Sequence, residues 1–371
     1  MALKDYILHG RKIIFKRNAM PEFLTLFATN RCNLKCSHCF HWKSIGSDGA
    51  ELSLAQIESI SNSLPDFTYI SITGGEPYLR DDLPQIARTF SVRNNVQNLS
   101  VVTNGFLTDK IVSDTKKIIN ACPGTNIAVV VSIDGIGKDH DDIRGAAGVF
   151  DNAIRTIDGL KALKAVYPDF NVGVAITYMA QNQNNIMSIY KFIRDDIKPD
   201  SISLTLIRGD ARDPVSKKID IGGYENVCRQ MDRDLMAGRV SGLRGFAISD
   251  FIAAMKMALW KMTARIYRKN KYSVPCYAGL ISGVIRADGD VYPCELFDIK
   301  IGNIKEYDCD FRRLWSSAQA EAVRRKIRAK KCFCVHDCNL TCNILFNLPC
   351  VLKIAPVAAV LALKRIVARK T

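Results

Sequence analysis

From Phe23 to about Leu206, short β-branched, apolar runs alternate with longer segments whose apolar residues recur every three or four positions. The runs Phe23–Thr29, Phe67–Ile72, Asn98–Thr103, Ile127–Ile133, Val172–Thr177 and Ser201–Leu206 predict six strands. Between them Leu52–Leu64, Asp109–Ala121, Phe150–Val166 and Asn184–Asp196 predict amphipathic helices. Ser53 is placed to cap the first and Thr108 the second. Strands that alternate with helices predict a parallel α/β sheet. Six strands fall short of the eight that close a barrel. In such a sheet the chemistry belongs on loops leaving the C-terminal strand ends.

Ala211–Lys271 breaks this pattern. A Gly- and Arg-containing stretch leads into a predicted helix, Ser249–Tyr267, whose Met255, Met257 and Met262 read as adaptable core packing. Eight of the thirteen cysteines then fall between Cys276 and Cys350, among turn-formers such as Ala287-Asp288-Gly289-Asp290. A segment so dense in cysteine and so poor in apolar periodicity must be held partly by metal. The chain thus divides into a basic amphipathic segment (1–22), an α/β unit (23–210), a helical connection (211–272), a Cys-rich unit (273–350) and an apolar, basic tail (351–371).

With 371 residues, 48% apolar and 24% charged, the chain has room for about two folded domains. No apolar run approaches the roughly 20 residues that span a bilayer; Ile354–Leu363 holds ten. Charges interrupt Met1–Met20, so no secretory signal is read and a cytoplasmic setting is expected. Thirteen cysteines there argue for metal or redox chemistry before disulfides.

The net charge of +15 sits at the two ends. Residues 1–20 carry five Lys/Arg against Asp5, and residues 312–371 carry thirteen against Glu321 and Asp337. A solvated basic tail is one reading. No nucleic-acid-recognition motif accompanies the charge, and no nucleic-acid partner is expected. Ile7, Leu8, Ile13, Ile14 and Phe15 interleave with Arg11, Lys12, Lys16 and Arg17, while Lys364, Arg365, Arg369 and Lys370 follow apolar Val357–Leu363. Apolar segments edged by cations suit peripheral contact with an anionic membrane at its inner face.

Immediately after the first strand stands Cys32-Asn33-Leu34-Lys35-Cys36-Ser37-His38-Cys39-Phe40. Three thiolates so spaced can wrap one face of a small cluster. A structural zinc site closes with four ligands. An iron–sulfur cubane on three thiolates leaves one iron open. Spacing alone leaves both standing. Thr73-Gly74-Gly75-Glu76-Pro77 follows the second strand; adjacent glycines admit close backbone approach, and a carboxylate beside them can accept from an ammonium group.

Together these residues resemble the radical S-adenosylmethionine (radical SAM) superfamily, whose cluster loop has this Cys-x3-Cys-x2-Cys spacing and an aromatic residue after it. The resemblance implies a partial (βα)6 TIM-like barrel and a [4Fe–4S] cluster on Cys32, Cys36 and Cys39, with S-adenosyl-L-methionine chelating the open iron. It implies that Gly74, Gly75 and Glu76 receive the methionyl amine and that Asn104 lines the pocket. Ser132 is implied near the ribose, Arg144 at the cofactor carboxylate and Phe40 beside the adenine.

The later cysteines resemble the SPASM extension of these enzymes, which binds one or two auxiliary [4Fe–4S] clusters. Cys276-x12-Gly289-x4-Cys294 fits that pattern, with Gly289–Cys294 as its hairpin. The spacing of Cys332, Cys334 and Cys338 by one and three residues departs from it. The resemblance assigns Cys276, Cys294 and Cys342 to one cluster and Cys332, Cys334, Cys338 and Cys350 to the other, with Cys309 able to complete the first. A zinc-ribbon-like element is the alternative for this segment. Cys122 and Cys228 stand alone and read as buried small hydrophobes.

The activity so implied is reductive cleavage of S-adenosylmethionine to a 5′-deoxyadenosyl radical, which takes hydrogen from a substrate. Auxiliary clusters predict a net oxidation or coupling, and an electron donor such as flavodoxin or ferredoxin is expected. Only about 22 residues precede the first strand, which favours a small or lipid-linked substrate over peptide maturation. A non-catalytic iron–sulfur electron carrier is the reading from another class, and the cofactor-pocket residues speak against it.

Overall fold

The computed structural model describes residues 20–47, 49–240, 249–271, 273–329 and 335–368. Most of the expected N-terminal segment, the thiols Cys332 and Cys334, and the end of the basic tail lie outside the described residues.

The predicted alternation forms β1 (Phe23–Thr29), β2 (Tyr69–Gly74), β3 (Asn98–Thr103), β4 (Asn126–Ser132), β5 (Asn171–Tyr178) and β6 (Ser201–Leu206). They pair in chain order, every pair parallel. Strand β2 starts two residues later than Phe67 and runs on through Gly74. Phe67 instead packs edge-on to Phe90, 6.2 Å between centroids, and the Thr68 hydroxyl donates to Glu22 at 3.1 Å. Ile70, Ile72, Val101, Val129, Val131, Val172, Val174 and Ile176 are wholly buried, as expected of parallel strands.

The covering helices are α1 (Leu54–Ser63), α2 (Leu83–Arg93), α3 (Thr108–Ala121), α4 (Lys138–Arg144), α5 (Val149–Leu163) and α6 (Ile186–Phe192). Ser53 caps α1 as expected, in a reciprocal box with Gln56. Thr108 does not cap α3. It lies within the helix, preceded by Leu107, and its hydroxyl donates to the Asn152 carbonyl at 3.1 Å, fastening α3 to α5. The expected Asn184–Asp196 helix is two pieces, because α6 widens into a π-helical turn at Ile193–Ile197.

Beyond β6 come α7 (Ile221–Met236) and α8 (Ser249–Lys269). Met255 and Met257 of α8 are buried and Met262 packs beside them, the core role expected. Strand β7 (Ser282–Ile285) then lies parallel to β1 on the side away from β2, and β8 (Asp290–Tyr292) and β9 (Gly302–Asn303) continue antiparallel. The sheet order β6-β5-β4-β3-β2-β1-β7-β8-β9 is therefore continuous. Strands of the Cys-rich segment prolong the barrel sheet at its β1 edge. Helices α9 (Phe311–Trp315), α10 (Ala318–Arg328), α11 (Asp337–Leu345) and α12 (Leu348–Ala368) complete the chain. Trp315 is fully buried, stacked on Phe311, at the position where a Cβ on Gly283 of β7 would stand 2.9 Å from its ring. The fold is α/β: a partial (βα)6 barrel followed by a small Cys-rich unit sharing its sheet.

Candidate active site

The loop carrying Cys32, Cys36 and Cys39 leaves the C-terminal end of β1 and is pinned from three directions. From β2, Gly75 N donates to Thr29 O and Glu76 N to Arg31 O, both 2.8 Å. From α4, Arg144 O and Ile143 O accept from Lys35 N and Ser37 N at 3.2 and 2.9 Å. From the loop after β6, Arg212 N donates to Cys39 O at 3.1 Å and Asp213 N to Ser37 O at 2.8 Å. The cluster loop is thus held in shape by segments distant in sequence.

Both glycines are required by this fastening. A Cβ on Gly75 would stand 2.0 Å from Arg31 O and 3.0 Å from Cys32 Cβ. Gly74 has φ 145°, and a Cβ there would meet Thr29 O at 2.4 Å. The close approach they permit is to the backbone of the cluster loop itself.

Burial pushes the Cys32 thiol up to about 12, with the neighbouring Cys36 and Cys39 adding to it. Burial, then Cys36, raises Cys39 as well. Grouped, half-buried thiols that resist ionising one another are a donor set suited to a cationic centre. Arg144 adds positive charge there: its Nη1 donates to Cys36 Sγ at 3.8 Å, and its Nε is buried without a partner. These residues fit an iron–sulfur cluster on three thiolates.

Glu76 is wholly buried at the end of β2. Oε1 accepts from the Thr103 hydroxyl at 2.8 Å and Oε2 from Asn104 N at 2.8 Å. Burial nevertheless lifts its carboxyl to about 7. The carboxylate faces the end of β3 and ties β2 to β3. Asn104 is buried and donates from Nδ2 to Asn33 Oδ1 at 2.8 Å, reaching the cluster loop. Ser132 ends β4, half-buried. Phe40 lies under the Arg208 guanidinium, whose carbon is 4.9 Å from the ring centroid. The seven expected cofactor residues stand around the C-terminal ends of β1 to β4 and on α4.

Three further residues belong to this site and escaped the sequence reading. Asp134, two residues past β4, is wholly buried and accepts from Arg144 Nη2 and from Thr177 N, the latter at 2.7 Å. Burial works against its charge, but Arg144 and the neighbouring histidines hold its carboxyl below the usual range. His38, inside the cysteine run, places Nε2 3.5 Å from Asp134, and burial pushes its imidazole down to about 4. Arg208 follows β6 and reaches from Phe40 to Glu295, donating to Oε2 at 3.1 Å.

Of the later cysteines, Cys276, Cys338 and Cys342 come together at the β7 side. Cys338 and Cys342 lie one turn apart on α11. Burial raises the Cys342 thiol strongly, with Cys338 and Cys276 adding to the effect. Tyr277 N, next to Cys276, donates to Asn343 Oδ1 at 2.8 Å and docks that cysteine on α11. Cys294 is buried just after β8, and Cys350 is half-buried near Lys353 on α12. Cys309 is buried with Lys305 and Asp308 as its charged neighbours and φ 59°. Cys122 and Cys228 are buried singly, as expected. Beside Cys338, ligand atoms of Glu295 and His336 lie with its sulfur inside 4.8 Å of one another. His336 Nε2 is 3.0 Å from Glu295 Oε2; burial pushes the imidazole down, but Glu295 and Cys338 outweigh it and lift it to about 9.

A parallel sheet with three thiols on the loop after its first strand, and a second thiol group fixed to the same sheet, is a donor arrangement suited to iron–sulfur clusters. Residues 26–193 match the radical SAM superfamily, and residues 276–342 match the iron–sulfur cluster-binding SPASM domain. The chain is 31% identical to the Fe-coproporphyrin III synthase of Methanosarcina barkeri over 173 residues, covering 46% of this chain and only 40% of that relative. It is 27% identical to the pre-heme d1 synthase of Dinoroseobacter shibae over 348 residues, 89% of this chain and 82% of that one. In fold it is similar to Streptococcus suis SuiB bound to its precursor peptide SuiA, with TM-score 0.59, 17% identity and coverage of 87% and 70%. The two domains imply [4Fe–4S] clusters and S-adenosylmethionine as cofactors.

Proposed function

We propose that Cys32, Cys36 and Cys39 hold the cluster that binds S-adenosylmethionine, and that the enzyme oxidises or couples a small or lipid-linked molecule. The observation that carries this is the thiol loop itself, clamped by Gly75, α4 and the loop after β6 at the mouth of the parallel sheet. When bound, cluster and cofactor supply an electron to the sulfonium and a radical able to take an unactivated hydrogen.

The chain's own residues bind, orient and exclude water. In this reading Gly74, Gly75, Glu76, Asn104, Ser132, Arg144 and Phe40 shape the cofactor pocket. Asp134 holds Arg144 so that its cation stays beside the sulfurs. Arg208, stacked on Phe40, closes the side facing β7. Cys276, Cys294, Cys332, Cys334, Cys338, Cys342 and Cys350 would hold auxiliary clusters, which would supply an electron acceptor for a net oxidation. Flavodoxin or ferredoxin serves as donor. A cytoplasmic setting with peripheral contact at the inner membrane face belongs to the same reading.

The small-molecule class is supported by two sequence relatives named for porphyrin and haem synthesis. Maturation of a ribosomal peptide is the second reading, favoured by the peptide-bound fold neighbour. Anaerobic, reconstituted, reduced protein should turn S-adenosylmethionine over to 5′-deoxyadenosine, and Cys36→Ala should abolish it. Deuterated candidate substrates that pass label into 5′-deoxyadenosine identify the class. A colourless, zinc-loaded chain would reject the proposal.

A further inference from the structure

Helix α12 meets different surroundings on its two faces. Ile354 and Leu361 are buried in an apolar cluster with Met255 and Leu259 of α8 and Leu340 and Ile344 of α11. On the opposite side Leu348, Leu352, Val360 and Leu363 are 67, 64, 43 and 63% exposed, with Ala355, Pro356 and Ala359 exposed between them. These four are nearly half of the nine large apolar side chains exposed among the described residues, and they share one stripe.

The charge around that stripe has one sign. No Asp or Glu follows Asp337, whereas Lys353, Lys364, Arg365, Arg369 and Lys370 do. A second copy of this chain would bring like charge to the face, its net charge being +15. Residues 1–19 would do the same, with five Lys/Arg against Asp5. Charge complementarity therefore selects an anionic occupant. No single helix among the described residues is long and apolar enough to cross a membrane, and the inner face of α12 is already packed on protein. Together α11 and α12 pass that test only as a pair bent by 90°, and with both packed on protein it is the outward face of α12 that is left to lie along a surface.

We propose that the outward face of α12 seats in the headgroup region of an anionic lipid bilayer. Leu348, Leu352, Val360 and Leu363 enter the acyl boundary, while Lys353 and Lys364 meet lipid phosphates. The proposal rests on the peripheral-membrane part of the reading above and not on its chemistry, so cofactor turnover and vesicle binding fail separately.

The test is sedimentation of the full reconstituted chain with phosphatidylcholine vesicles, with and without about 30% phosphatidylglycerol. Binding should require the anionic lipid and weaken with added salt. The double substitution Leu352→Glu/Leu363→Glu should lower the partition coefficient by about tenfold or more, with circular dichroism and iron content unchanged. Lys353→Glu/Lys364→Glu, which leaves every apolar contact in place, should weaken binding to the anionic vesicles alone. Four outcomes overturn the proposal: no binding, equal binding to both vesicles, binding unaffected by either pair of substitutions, or binding seen only after residues 1–19 are removed. A dimer in the absence of lipid that Leu352→Glu/Leu363→Glu dissolves would assign the face to a second copy instead.

Discussion

Gly75 concentrates more of the site than any side chain near it, because it is the point where β2 touches the cluster loop. A methyl group there would meet the Arg31 carbonyl at 2.0 Å, so Gly75→Ala must push the loop off the strand. We expect a loss of about 1–3 kcal/mol in urea unfolding, together with reduced iron uptake on reconstitution. Glu76 gives a pH signature. Its carboxyl is lifted from 4.5 to about 7 by burial, so the folded chain binds the extra proton between those values. Stability should therefore fall as pH rises from about 4.5 to 7 and level off above. Glu76→Gln should flatten that stretch in a pH series of urea midpoints, since Thr103 can turn its hydroxyl to accept from the amide. Asp134 has the opposite sign: its carboxyl is held low, and the stability it contributes is present above about pH 4 and lost as pH falls. Arg144→Gln strands that carboxylate without its cation and should cost about 3–5 kcal/mol, read by the same unfolding measurement. The cysteines and glycines announced themselves in the sequence. Asp134, His38 and Arg208 did not, because each acts through a partner brought near only by the fold.

At the scale of elements, the cap of α1 was legible, although the helix read from Leu52 begins at Leu54. Ser53 and Gln56 form a capping box in the sequence and in the structure, and Ser53→Ala should cost about 1 kcal/mol in chemical denaturation. Helix α2 was not among the expected helices, although its Leu83, Ile86, Ala87 and Phe90, all buried, lie at the spacing of one helical face. Thr108 shows where local rules fail. A threonine before an apolar-periodic segment reads as a cap, yet its hydroxyl is taken by the Asn152 carbonyl of α5, and the helix starts at Thr108 itself. Packing between helices outcompeted the cap. The π-helical turn at Ile193–Ile197 has no periodic signature, since one extra residue in a turn changes register without changing composition.

At the scale of the molecule, the barrel and the Cys-rich unit share one sheet through β1 and β7, and Trp315 is buried against that seam. Trp315→Ala should destabilise by about 3–5 kcal/mol. Because the sheet is continuous, far-UV circular dichroism and cluster absorbance should then be lost in one transition; a Cys-rich unit melting alone would contradict the shared sheet. The sequence by itself determined the alternation of strands and helices, the three-thiol loop and the Gly-Gly-Glu turn. Hydrophobic period and ligand spacing are local properties that survive without knowledge of the fold. Only the tertiary structure decided that β7 joins β1, that Asp134 meets Arg144, and which face of α12 is left bare. Each of those depends on contacts between segments far apart in the chain, and no local pattern of residues carries that information.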